Sequence, residues 1–176
     1  MPKSLPSAAP ATAHPHAHAT AHATAPAVPA GLDTARLSHL VGYAASRAAI
    51  TLRKTFARHM APLDIKIVEF SILMLVAQNQ KVNQKQLGAE LDLSAPNLAV
   101  ILDRMAERGW VERVRSTVDR RAQQIHLTAS GVQLVQRAEK IAATMENAAL
   151  AVLSAAERAL LIELLLKVSA RRAGKR

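Results

Sequence analysis

The stretch ILDRMAERGWVERVRSTVDRRAQQIHLT, residues 101–128, changes its period partway, and that change decides the fold. Up to Gly109 it continues a helix from about Ala95 to Arg108, in which Leu98, Ile101, Leu102 and Met105 fall at i, i+3, i+4 and i+7. Ser94 is placed as its N-cap and Gly109 as its C-terminal stop. Beyond Gly109 the period drops to two. Val111, Arg113 and Arg115 alternate with Trp110, Glu112 and Val114, and Ile125 and Leu127 alternate with Gln124, His126 and Thr128. Two strands facing each other across a loop at Ser116 to Arg121 are expected, with Asp119, Arg120 and Arg121 at the hairpin tip.

On the N-terminal side, Asn83 to Leu91 reads as a short helix with Leu87 and Leu91 inward. Asp92, Leu93 and Ser94 turn the chain into the next helix, giving helix, tight turn, helix. Upstream lies a strongly apolar helix, about Ile65 to Ala77. Before it, from Asp33 to Met60, Leu37, Leu40, Val41, Ala44, Ala48, Leu52 and Phe56 form one helical stripe, which Pro62 and Asp64 break. Downstream, Thr128 caps a helix from about Ala129 to Ala151. Ser154 with Glu157 matches a capping box opening a last helix, whose stripe is Leu160, Leu161, Leu164 and Val168. The fold class is mainly α with a small β-hairpin wing: a winged helix-turn-helix plus a helical dimerisation domain. The first helix and the last two are too long and apolar to be covered by so small a winged domain, and are expected to bury each other across a two-fold axis.

Composition sets the limits. Residues 1–31 are built almost wholly from Ala, Pro, His, Thr and Ser, too poor in bulky apolar groups to offset the entropy of ordering, and are read as a disordered tail. The tail has no apolar segment long enough for an export signal, and nothing further along is expected to span a membrane, so a cytoplasmic location is expected. The formal net charge of +10 sits on the folded part, since the tail contributes only Lys3, and it favours a polyanion such as nucleic acid. The chain has no cysteine, which excludes disulfides, thiolate metal sites and thiol redox sensing.

A helix-turn-helix reads DNA by laying the start of its second helix in the major groove. Opposite the buried stripe stand Pro96, Asn97, Ala99, Val100, Asp103 and Arg104. Asn97 can hydrogen-bond a base, Val100 can meet a thymine methyl, and Arg104 can reach a base or phosphate. Gln84, Lys85 and Gln86, at the start of the first helix of the pair, suit phosphate positioning, and Ser94 counts among the DNA-contacting residues. An arginine at the hairpin tip can enter a minor groove, and Asp119 can orient it. Periodicity alone fits equally a solvated amphipathic helix pair followed by an ordinary charged turn.

The segment LDLSAPNLAVILDRMAERGWVERVRSTVDRRAQQIHLTASG resembles the winged helix of the MarR family of bacterial transcription regulators. The matching features are a leucine-rich recognition helix, the GWVER link, the Asp-x-Arg wing motif at Asp119 and Arg121, and a strand ending in Leu-Thr before a small residue and Gly. The likeness runs from about Leu37 to Ala170. It implies that residues 32–176 are a MarR-type domain, with dimerisation helices at about 33–60 and 129–172 and a winged helix-turn-helix at about 64–128. It implies that Arg121 enters the minor groove with Asp119 as its orienting partner, and that a homodimer binds a palindromic operator in double-stranded DNA. The His/Ala/Pro tail departs from the family pattern.

Members of this family commonly release DNA when a small, often aromatic and anionic molecule binds between the dimer and winged domains. His39, Tyr43 and Arg47, at i, i+4 and i+8 of the first helix, can hold an aromatic ring and a carboxylate. They fit equally a structural ion pair and interface packing. GYxxxRA resembles members that respond to phenolic acids or their coenzyme A thioesters. No cofactor, metal site or catalytic residue is expected: there is no nucleotide loop, nucleophile elbow or metal-ligand spacing, and His14, His16, His18 and His22 lie in a segment without fixed geometry. The expected function is a sequence-specific, ligand-responsive transcriptional repressor whose effector is an aromatic acid or its thioester; the alternative is a sequence-tolerant architectural DNA-binding protein without a ligand.

 On the first expectation a homodimeric repressor leaves its operator when a small aromatic anion binds, and on neither is the protein an enzyme.

Overall fold

The computed structural model describes residues 32–115 and 123–170. The chain divides into two units at Arg36 and Leu37. Asp33 Oδ1 accepts the Ala35 N–H at 2.9 Å and opens a short helical turn, α1 (Ala35–Ser38), whose residues fall on both sides of that division. The second unit holds α2 (Val41–Met60), a 3-10 turn (Ala61–Leu63), α3 (Ile67–Gln78), α4 (Gln84–Glu90), α5 (Ala95–Glu107), β1 (Val111–Arg115), β2 (Gln123–Leu127), α6 (Ala129–Met145) and α7 (Ala155–Ala170). The expected tail at residues 1–31, the hairpin tip and the basic C-terminus lie outside the described residues.

The order of elements is the one the periods dictate, with two corrections. The first helix does not run unbroken from Asp33: Leu40 takes an extended conformation (φ −87°, ψ 119°), so His39 falls in a break between α1 and α2. The helix expected to reach Ala151 ends at Met145, after which residues 146–153 proceed as turns. Arg158 of α7 secures that exit, donating to the Asn147 side chain at 3.1 Å and standing 3.6 Å from Glu146.

The core gathers where α2, α3, α5, α6 and the hairpin converge. Met60, Ile72, Leu73, Leu87, Leu98, Leu102, Met105 and Ile125 are fully buried, each stabilising the fold by about 1.5–3 kcal/mol relative to exposure. Phe56 and Phe70 meet edge to face at 5.4 Å between ring centres, joining α2 to α3. The strands pair antiparallel from Val111 opposite Leu127 to Arg115 opposite Gln123. The Ile125 N–H donates to Val82 O at 2.8 Å, so the hairpin is also tied to the segment leading into α4.

Two local devices fix α5 relative to its surroundings. Gly109, at φ +67°, takes the left-handed conformation that ends the helix and turns the chain into β1. Thr128 caps α6 through the Gly131 N–H at 3.0 Å, while its hydroxyl donates to Gly109 O at 2.5 Å. One side chain therefore joins the start of α6 to the end of α5. By contrast α7 has no buried residue, and its Leu160, Leu161, Ile162, Leu164, Leu165, Leu166 and Val168 are all exposed.

Candidate nucleic-acid interface

The turn between α4 and α5 is built for close approach. Asn83 caps α4 reciprocally with Gln86: Gln86 N–H donates to Asn83 Oδ1 and Asn83 N–H to Gln86 Oε1, both at 2.9 Å. Asp92 carries the left-handed turn at φ 53°. A Cβ on Gly88 would stand 3.1 Å from Leu93 O, so glycine there lets the turn fold back against α4.

On α5, Leu98, Leu102 and Met105 point inward and are fully buried. Ser94, Pro96 and Asn97 are exposed, and Val100 is 67% exposed. An uncovered valine on the outward ridge presents an apolar contact to whatever meets the helix. Ser94 holds the N-cap position without a side-chain capping bond, which corrects the capping role expected of it. Lys85 is exposed; Gln84 is half-buried, and its Nε2 donates to Ala95 O at 3.2 Å, so it braces the start of α5.

Arg104 departs furthest from the sequence expectation. Its Nε and Nη2 both reach Glu69 Oε1, at 3.0 Å and 2.7 Å, and Glu69 is completely buried in α3. The other carboxylate oxygen accepts the Lys66 N–H at 2.8 Å. Asp103 pairs with Arg113 of β1 at 2.5 Å, and Arg113 also reaches Ala99 O at 3.4 Å. Arg108 grips Asp64 through both its backbone oxygen and its carboxylate, each at 2.8 Å, and lies 3.8 Å over the Trp110 ring. Three arginines thus fasten α5 and its neighbours to the body of the domain. Sequence reasoning missed these links; the available signal was Glu69, a lone charge inside the apolar run IVEFSILMLV.

Asp119, Arg120 and Arg121 lie outside the described residues, in the connection between β1 and β2. Of the proposed ligand residues, Tyr43 is half-buried and Arg47 exposed on α2, whereas His39 is exposed in the break before it, so the three do not share one helix. A depression of about 350 Å³ opens further along, lined by Arg53, Phe56, Asp64, Ile65, Lys66 and Ile67 among others, and none of the three reaches it. Among the described residues no cluster of His, Asp or Glu is arranged to hold a metal ion, and no helix is long and apolar enough to cross a membrane.

A helix-turn-helix with an exposed second helix and a two-stranded hairpin beside it defines a winged helix-turn-helix DNA-binding protein. The family model "MarR family" matches residues 65–122. A regulatory protein of Thauera aromatica named for the hcr operon is 29% identical over 143 residues, 78% of this chain and 86% of that one. The transcriptional repressor CouR bound to a 23-mer DNA duplex superposes with a TM-score of 0.75 at 32% identity, covering 79% of this chain and 99% of CouR. CouR bound to p-coumaroyl-CoA gives 0.72 at 31% identity, covering 79% and 98%. The chain belongs to the MarR family: it is a DNA-binding transcriptional regulator and not an enzyme.

Proposed function

We propose that the protein is a repressor that binds a palindromic operator as a homodimer in the cytoplasm and releases it on binding a small aromatic acid or its thioester. The observation that carries the DNA reading is the outward face of α5, where Pro96, Asn97 and Val100 stand exposed on a helix held rigidly from behind. In this reading Ser94, Asn97 and Val100 meet base edges or backbone. Gln84 and Lys85 contact phosphates, and Asp119, Arg120 and Arg121 serve the wing. The domain division follows the same logic: about 64–128 reads DNA, while about 33–60 and 129–172 dimerise. The uncovered apolar side chains of α7 support the second copy, since a patch of this kind marks a surface that is buried in the working protein.

The effector class draws support from CouR, which has been solved with p-coumaroyl-CoA. Tyr43 and Arg47 on α2 offer an aromatic face and a cation to such a molecule. Footprinting the DNA beside the protein's own gene tests the central reading: a protected inverted repeat with steep preference over random DNA is expected, and uniform coverage would favour an architectural role instead. Arg121→Ala should lower operator affinity about tenfold, or by roughly 1–3 kcal/mol. A thermal-shift screen of aromatic acids and thioesters should find a stabilising compound whose effect shrinks in Arg47→Ala.

A further inference from the structure

We propose that Glu69 is a positioning residue for DNA binding, aiming the Arg104 guanidinium from behind; this rests on the reading that the outward face of α5 meets DNA. Arg104 continues the ridge of Asn97 and Val100 at helical spacing, so its side chain ends on the face offered to DNA. A free arginine there would sample many orientations. Here Nε and Nη2 are both held by one carboxylate oxygen, at 3.0 Å and 2.7 Å. Because the guanidinium is planar, fixing two of its nitrogens fixes the plane and the direction of the third, Nη1. The Arg104 side chain remains 38% exposed while that of Glu69 is 1% exposed, so the carboxylate touches only the protein and the arginine faces both ways.

The carboxylate is itself fixed. Its second oxygen accepts the Lys66 N–H at the first turn of α3, so Glu69 cannot swing without giving up that bond. A buried ion pair is weak evidence for stability, because apolar replacements of similar volume are often as stable. Orientation of a DNA-facing guanidinium accounts for a charge in this apolar helix.

The test is a double-variant cycle in the full-length chain, using Glu69→Gln, Arg104→Ala and both together, measured on the footprinted operator duplex and on a random-sequence duplex of equal length. Glu69→Gln keeps the shape and an acceptor for Lys66. Arg104→Ala should lower operator affinity about tenfold. Glu69→Gln, which touches no DNA, should lower it by a similar factor, and the double variant should bind no more weakly than Arg104→Ala alone. A merely structural role for Glu69 would instead give additive losses that follow thermal stability. Additive losses, or unchanged binding by either single variant, overturn the proposal.

If Glu69→Gln does not fold, Arg104→Lys decides: it keeps the charge but not the fixed plane, so affinity should fall while the salt dependence stays, and wild-type affinity overturns the proposal. Where the wild type prefers no duplex, the same cycle on random DNA still reads the coupling. The sequence-specific reading then fails alone, just as preference without coupling fails the positioning role alone.

Discussion

Gly131 shows how one residue locks the wing to the body. A Cβ there would stand 2.0 Å from Trp110 O and 3.0 Å from the Trp110 carbonyl carbon, both backbone atoms that cannot yield as a side chain tip would. Gly131→Ala should therefore cost about 1–3 kcal/mol or more, read as a lower urea midpoint with an unchanged slope; an unaltered midpoint would show that the α6 start can shift freely. The Thr128 cap at this corner was legible in the sequence, because capping needs only a hydroxyl before a helix. The contact with Trp110 was not, since it joins residues 21 apart in the chain and leaves no local pattern. The same holds for the Arg108 grip on Asp64 and the Arg104 grip on Glu69. Pairings across elements depend on where the helices pack, and charge alone does not choose among six arginines in one stretch.

At the scale of elements, periodicity located every core helix and the hairpin, and it failed at two ends. Residues 38–40, Ser-His-Leu, contain neither Pro nor Gly, yet the helix breaks there. Residues 146–151, Glu-Asn-Ala-Ala-Leu-Ala, are good helix formers apart from Asn147, yet α6 stops before them and hydrogen bonds such as Asn147 N–H to Thr144 O take over. Tertiary geometry overrides weak propensity at both places. The start of α7 was read correctly: Ser154 N–H and hydroxyl both donate to Glu157 Oε2 at 2.8 Å. The backbone bond first, and the hydroxyl second, hold the Glu157 carboxyl below its usual value of 4.5. A depressed folded-state value means that the cap stabilises α7 above that pH and is lost as the medium becomes more acidic. Protection of the amides at residues 155–158, taken relative to their intrinsic exchange rates, should fall on acidification below about pH 4.5, and Glu157→Gln should remove that pH dependence; the same acid response in the variant would rule the cap out as its cause.

For the whole molecule, the net charge of +10 and the uncovered face of α7 act on different measurements. Charge governs the grip on phosphate, so affinity for any duplex should fall steeply as salt rises. The apolar face governs the folded state itself. On the proposed dimer, covering Leu161, Leu164 and their neighbours requires a second chain, and stability becomes a function of protein concentration. The melting temperature should rise by roughly several degrees over a hundredfold increase in concentration. Leu164→Glu should give a less helical monomer without that trend; a concentration-independent melting temperature in the native chain would dismiss the interface. There is a consequence for gene dosage. When assembly limits the amount of competent regulator, occupancy of the operator varies with the square of copy number, so halving expression would leave about a quarter of the dimer. In the proposed dimer, a helix that no described residue of its own chain covers would thus turn a modest change in synthesis into a sharp change in control.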